Sequence, residues 1–226
     1  MIPRFAIGEG YAVYRGPTTT GTLHRHAAFQ IVVGQPDAVG VADAAGITHR
    51  AVALVVPPMH PHCLQATPDV LAFFVEPHCA FADRLRRHYG DGITAAPELR
   101  GLSEDDVRPV GRRGSDQLDP RLMQALNTLA DSDIALPAVA AHVGLSPQRL
   151  RALAREQLGM PLARWRVWTR LRHAAEVLQS GQTLADAATA AGFADQAHFS
   201  RQMREMMGLT PAALLPIVRS QSLRAT

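Results

Sequence analysis

Lysine is absent from the 226 residues, so all 23 cationic side chains are arginine. Cysteine is scarce: Cys63 and Cys79 are too few for a disulfide framework in a chain of this size, and both are expected as reduced thiols. No apolar run approaches the roughly twenty residues that a bilayer requires. The longest uncharged stretch, 51–68, is interrupted by Pro57, Pro58 and Pro61, which excludes a helical membrane span. The opening Met1-Ile2-Pro3-Arg4-Phe5 lacks a basic segment followed by an apolar one, so the expected location is the cytoplasm. With 19% charged and 47% hydrophobic residues, the composition excludes disordered, fibrous and coiled-coil classes. The length admits one large domain or two of about a hundred residues each.

The arginines are unevenly placed. Residues 119–226 hold 12 Arg against 8 acids, whereas residues 1–118 hold 11 against 12. Within the basic half, 146–173 carries seven Arg and the single acid Glu156, a local net charge of +6. Such a segment suits a polyanionic partner, although a solvated helical face has the same signature.

Residues 5–76 read as strands. Phe29-Gln30-Ile31-Val32-Val33, the run 51–56 and the run 70–75 are separated by Gly, Pro and Asp turn signals, a spacing suited to an antiparallel barrel or sandwich. Helical spacing begins with Phe81 to Tyr89 and is closed by Gly90. Residues 101–119, rich in Gly, Asp, Arg and Pro, are expected as a linker between domains at 1–100 and 120–226. The predicted class is therefore α+β multidomain: an N-terminal β-barrel followed by an all-α domain.

Leu122, Leu126 and Leu129 mark a first helix ending near Asp131. Beyond it a pattern occurs twice. Ala140, Gly144, Ser146 and Leu150 form one copy, and the second begins 48 residues later with Ala188, Gly192, Asp195 and Phe199. In each copy a short helix meets a Gly-centred turn, and a new helix starts on Ser146 or Asp195 as capping residue. Ser146 is followed by Pro147, which suits the first helical position. An amphipathic helix from Pro161 to Leu178 joins the two helix-turn-helix units.

The segments GLSPQRLRAL, EQLGMPLARW, RLRHAAEVL and AAGFADQAHFSRQMREMMGLTP, within 136–215, resemble the DNA-binding domain of AraC/XylS transcription regulators. The resemblance implies a sequence-specific regulator that places the second helix of each unit in the major groove of double-stranded DNA and works with RNA polymerase. A joining helix of 18 residues is about 27 Å long, of the order needed to place two reading helices in consecutive grooves, roughly 34 Å apart.

Helical spacing puts Leu150, Leu153 and Leu158 in the core and turns Gln148, Arg149, Arg151, Ala152 and Arg155 outward. By resemblance, Gln148, Arg151 and Ala152 are the positions that approach bases. Ala152 stands where Arg is usual, which shifts reading onto Arg151 and Gln148. In the second unit Gln196, Ala197, His198, Ser200 and Arg201 fall at reading positions, with Phe199 and Met203 in the core. Arg to guanine and Gln to adenine are the expected pairings. Arg164, Arg166, Arg170 and Arg172 are expected to hold phosphate or to pack within the domain.

In the N-terminal half, GTLHRHAAFQIVVG and Pro57-Pro58-Met59-His60-Pro61-His62 resemble the two motifs of the cupin barrel, whose members often bind a metal through H-x-H, a carboxylate and a later His. On a strand, His24, His26 and Gln30 share a face, and His62 can join them from the neighbouring motif. Gln30 replaces the usual carboxylate, which lowers metal affinity. The set suits either a divalent metal (Zn, Ni or Cu) or the polar lining of an effector pocket, and the lost carboxylate argues for the lining. Resemblance to arabinose-type regulators implies that the barrel senses a small-molecule or metal effector, with a homodimer as a further expectation. The alternative is a cupin metalloenzyme fused to a DNA-binding domain. No acid/base pair beyond the His/Gln set stands out in 1–100, so a non-enzyme is expected. Cys63 and Cys79, in repeated Pro-His-Cys triplets, are expected on buried strands as structural residues, with a thiol or soft-metal sensor as the other option.

Overall fold

The computed structural model describes residues 3–108, 114–132 and 134–222. The N-terminal half contains β1 (Arg4–Gly8), β2 (Tyr11–Thr18), β3 (Phe29–Gly34), β4 (Val39–Asp43), β5 (Thr48–Ala51), β6 (Ala53–Val56), β7 (His62–Leu64), β8 (Thr67–Val75) and β9 (Thr94–Ala95). They form a six-stranded sheet of order β1-β2-β8-β3-β6-β9 and a three-stranded sheet of order β5-β4-β7, with every pairing antiparallel. Among the described residues the expected barrel is thus built as two sheets without a continuous ladder around it, and His24, outside both sheets, pairs with His62 of β7 in an isolated bridge.

The period of two decides what each face of the large sheet meets. Phe29, Ile31, Val33, Phe73 and Val75 pack with Phe81, Ala82 and Leu85 of α1 (Ala80–His88). Val32, Leu54, Val56 and Val70 pack on the other face with Val39 and Val41 of the small sheet. Both faces are covered, so β3 is buried throughout and reads as a continuous apolar run rather than an alternation. Gln30 alternates with Ile31 and so shares the inner face with Val32.

The expected linker is not bare chain. Within 101–119, α2 (Glu104–Val107) starts on a capping box in which the Ser103 hydroxyl and the Asp106 carboxylate each satisfy the other's backbone N–H. Leu102, Val107 and Leu118 are buried, and Ser115 Oγ donates to Asp83 Oδ1 of α1 at 2.6 Å. Residues 109–113 of that stretch lie outside the described residues.

The C-terminal half comprises α3 (Pro120–Asp131), α4 (Leu136–His142), α5 (Pro147–Leu158), α6 (Leu162–Gln179), α7 (Leu184–Ala190), α8 (Gln196–Met207) and α9 (Pro211–Ser222). α6 is the spine: Trp165, Trp168, Leu171, Ala174, Ala175 and Leu178 are buried along it. No helix among the described residues is long and apolar enough to cross a membrane.

The two halves share one core. Phe5, Ala27, Ala28, Ala72 and Phe74 of the β half cluster with Trp165, Trp168, Phe199 and Met206 of the helical half. A buried polar clamp runs beside them. Glu76, 3% exposed, accepts from Trp168 Nε1 at 3.0 Å and from Arg172 Nη1 at 3.0 Å, while Arg172 Nη2 donates to the Gly8 carbonyl at 2.7 Å. Arg172, expected on phosphate or within its own domain, therefore packs across the domain boundary.

Cys63 is on β7, but Cys79 is not on a strand: it precedes α1 as its N-cap residue. Its Sγ donates to the Gly10 carbonyl at 3.2 Å, and burial, reinforced by the Glu76 charge, pushes its thiol well above the ordinary cysteine range. A thiol held neutral in this way is a poor nucleophile. Mass spectrometry after brief treatment of the native protein with a thiol reagent should find Cys79 unmodified until urea is added. Modification of native Cys79 at the rate of a free thiol would contradict this assignment.

Candidate nucleic-acid interface and histidine cluster

The sequence repeat is also a structural repeat. Leu145 N donates to the Ala140 carbonyl and Phe193 N to the Ala188 carbonyl, both at 2.9 Å, 48 residues apart. Gly144 and Gly192 take φ of 67° and 74°, left-handed values that a side chain would strain, so glycine is required at each turn. Ala140 and Ala188 are buried where the paired helices cross. Ser146 Oγ accepts from Arg149 N at 3.1 Å, and Asp195 Oδ1 accepts from His198 N at 2.6 Å, which starts α5 and α8 at equivalent points.

On α5, Leu150, Leu153, Ala154 and Leu158 are buried and Gln148, Arg149, Arg151, Ala152 and Arg155 are exposed. On α8, Phe199, Met203 and Met206 are buried, Gln196 and Arg201 are exposed, and His198 and Ser200 are half-buried. His198 is partly occupied locally. Its Nδ1 accepts from Ala194 N at 3.3 Å and its ring packs against Phe193 with centroids 5.4 Å apart, so the neutral ring carries its proton on the outer Nε2. Arg164 pairs with Glu205 at 2.5 Å and ties α6 to α8.

The histidines converge by a different route from the one alternation predicts. Only Gln30 lies in β3; His24 sits in the isolated bridge to His62, and His26 is in irregular chain. Reciprocal backbone bonds between His24 and His62, both at 3.0 Å, bring the two motifs together. His24, His26 and His62 are all buried, and their candidate ligand nitrogens lie within 4.8 Å of one another. Desolvation, with the charges of its neighbours second, pushes His62 down to about 3 and His26 well below the usual range; burial also lowers His24. The three rings are neutral near pH 7, the form that ligates metal.

Their hydrogen bonds fix the tautomers. His24 Nδ1 donates to the Thr22 carbonyl at 2.7 Å and His62 Nδ1 to the His60 carbonyl at 2.9 Å, so both Nε2 atoms present lone pairs inward. This outer bond to a backbone carbonyl is the usual orientation device of metal-binding histidines. His62 Nε2, His26 Nδ1 and Gln30 Oε1 have no hydrogen-bond partner among the described residues. His24 Nε2 and His26 Nε2 are 3.0 Å apart, close to the roughly 3.3 Å expected of two imidazoles on one tetrahedral ion with bonds near 2.05 Å. The residues therefore fit a divalent metal of the zinc type.

Sequence reasoning missed what roofs this cluster, because the contacts span some 180 residues. The Gly208 carbonyl accepts from Thr22 Oγ1 at 3.4 Å, and a Cβ placed on Gly208 would stand 2.5 Å from His24 Nδ1. Gly208 also has φ of 69° as the C-cap of α8. Gly208→Ala is expected to lower the urea-derived stability by about 1–3 kcal/mol, from left-handed strain together with the clash. Unchanged stability would contradict the close approach.

Residues 139–216 match the helix-turn-helix domain family. The arabinose operon regulatory protein of Escherichia coli (strain K12) is 39% identical over 85 residues, which is 37% of this chain and 29% of that protein. Residues 139–216 thus carry a helix-turn-helix domain of the AraC type. The HTH-type transcriptional regulator GlxA of Rhizobium meliloti (strain 1021) is 32% identical over 94 residues, 41% of this chain and 29% of that protein. The matches thus span under a third of these relatives' length. The crystal structure of ToxT from Vibrio cholerae O395 superposes with a TM-score of 0.60 over 94% of this chain and 99% of that one, at 10% identity. That likeness shows the two-part fold. A ToxT structure bound to an unsaturated fatty acid gives a TM-score of 0.61 at 11% identity, over 95% and 98% of the two chains.

An apolar cleft of about 600 Å³, open mouth included, lies between the two halves. Phe5, Ile7 and Phe74 line it from the β half, Trp168, Leu171 and Met203 from the helical half, and the Glu76–Arg172 pair forms its polar edge.

Proposed function

We propose that the chain is a cytoplasmic, one-component transcription regulator whose helical half binds double-stranded DNA in two consecutive major grooves while its β half senses an effector. The observation that carries this reading is the duplicated unit: two matched turns present α5 and α8, each with its buried and exposed faces separated, on one 18-residue helix. Gln148, Arg149, Arg151 and Arg155 read or hold the DNA from the first unit; Gln196, His198, Ser200 and Arg201 do so from the second. By family likeness, RNA polymerase is the machinery acted upon. The interface between the halves supports a sensing role, since its cleft and its histidine cluster are both walled by residues of the two halves. The cleft suits an apolar small molecule, the class to which the fatty acid bound by ToxT belongs.

The test is binding of the full chain to duplexes selected from a random pool. Log affinity should fall linearly with log salt, by about 0.9 for each phosphate neutralised. Failure to enrich any duplex would overturn the proposal, as would salt-independent binding.

A further inference from the structure

We propose that His24, His26 and His62 bind one divalent ion of the zinc, nickel or copper type, and that α8 responds to its binding through Met206 and Gly208. The proposal deepens the regulator reading, on which it rests, by naming the chemical class of an effector.

The first support is that the cluster is unsatisfied as three imidazoles alone. With the Nδ1 protons of His24 and His62 committed to carbonyls, both Nε2 atoms are acceptors, and among the described residues neither backbone nor side chain donates to His62 Nε2. His26 has two options. If it carries its proton on Nε2, it donates to His24, and its buried Nδ1 is then a bare acceptor. If it carries the proton on Nδ1, two lone pairs face each other across 3.0 Å. Either tautomer strands buried acceptors, and a cation among the three Nε2 atoms removes the conflict.

The second support is where the third orienting carbonyl comes from. Thr22 and His60, which orient His24 and His62, belong to the β half. For His26 the backbone of Met206, on α8, is the group that favours a proton on the ring. Ligation through His26 Nε2 requires the Nδ1–H tautomer, and Met206, which lines the same small cleft as His24, belongs to α8. Gly208, closing the same helix, is already in contact with the His24 ring. The last turn of α8 is thus part of the cluster's wall, while its first two turns carry Gln196, His198, Ser200 and Arg201. A second, smaller cleft beside the cluster, lined by His24, Met59 and Met206, also has Arg164 and its partner Glu205 in its wall, so the ion pair that ties α6 to α8 borders it as well.

The test uses the full chain, stripped with a chelator, dialysed, and loaded with Zn(II) or, as a spectroscopic probe, Co(II). One equivalent should bind per chain, with cobalt ligand-field bands typical of a tetrahedral or five-coordinate nitrogen site, and His26→Ala and His62→Ala should each weaken binding at least 100-fold. Zn(II) should change the affinity for a selected DNA duplex at least fivefold in the wild type and less than twofold in His62→Ala. By linkage, the duplex should change Zn(II) affinity by the same factor. Substoichiometric binding, absent ligand-field bands, or binding unaffected in both variants would overturn the metal site; these readouts need no folded variant, since the wild type alone supplies stoichiometry and spectrum. One equivalent bound with less than a twofold effect on DNA affinity would overturn the coupling. A chain that binds metal but no duplex would instead refute the regulator reading.

Discussion

Glu76→Ala is expected to lower the stability of the full chain by about 3 kcal/mol, at the low end of the range for breaking a buried ion pair by removing one partner. Three groups lose their acceptor or counter-charge at once: the Arg172 guanidinium, Trp168 Nε1 and, at 3.8 Å, the His78 ring. Arg172 remains bonded to the Gly8 carbonyl and to Glu176, and its side chain is about a quarter exposed, so water recovers part of the loss. Glu76→Gln should cost less, because an amide oxygen still accepts from Trp168. Urea denaturation followed by tryptophan fluorescence reads both. A loss below 1 kcal/mol for Glu76→Ala would show that the clamp is not a structural link between the halves.

The second large effect is on DNA. Arg151→Ala and Arg201→Ala should each cost roughly 1–3 kcal/mol on the preferred duplex and relax base preference at one position. They lie on separate helices held apart by α6, so the double variant should lose roughly the sum, on the order of 2–6 kcal/mol. Random duplex should lose far less. Competition titrations with preferred and random duplex at one fixed salt concentration separate the outcomes. Equal losses on both duplexes would assign these arginines to phosphate.

Helices were legible wherever the signal was local. Pro120 to Asp131, the Ser146 and Asp195 caps and the two glycine turns depend on neighbours within a few residues, and the structure places them where spacing predicts. α2 could have been read from Ser103 and Asp106, a capping pair in sequence, but the polar composition around it masked the signal. The histidine cluster was half legible: the residues were identifiable from their two motifs, yet strand alternation was the wrong reason, because β3 does not start until Phe29. What no local pattern could show is the pairing of Glu76 with Arg172, 96 residues apart, or of His24 with Gly208. Such contacts arise from how two packed halves meet, and the sequence spacing within either half carries no trace of them.

The central claim is that one chain presents two reading helices at the separation of one DNA turn. Hydroxyl-radical and methylation footprinting of the full chain on its selected duplex tests it most directly. The account predicts protection and methylation interference in two successive major grooves on one face of the duplex, with the signal in one groove lost in Arg151→Ala and in the other lost in Arg201→Ala. Protection confined to a single groove by one bound chain would contradict it.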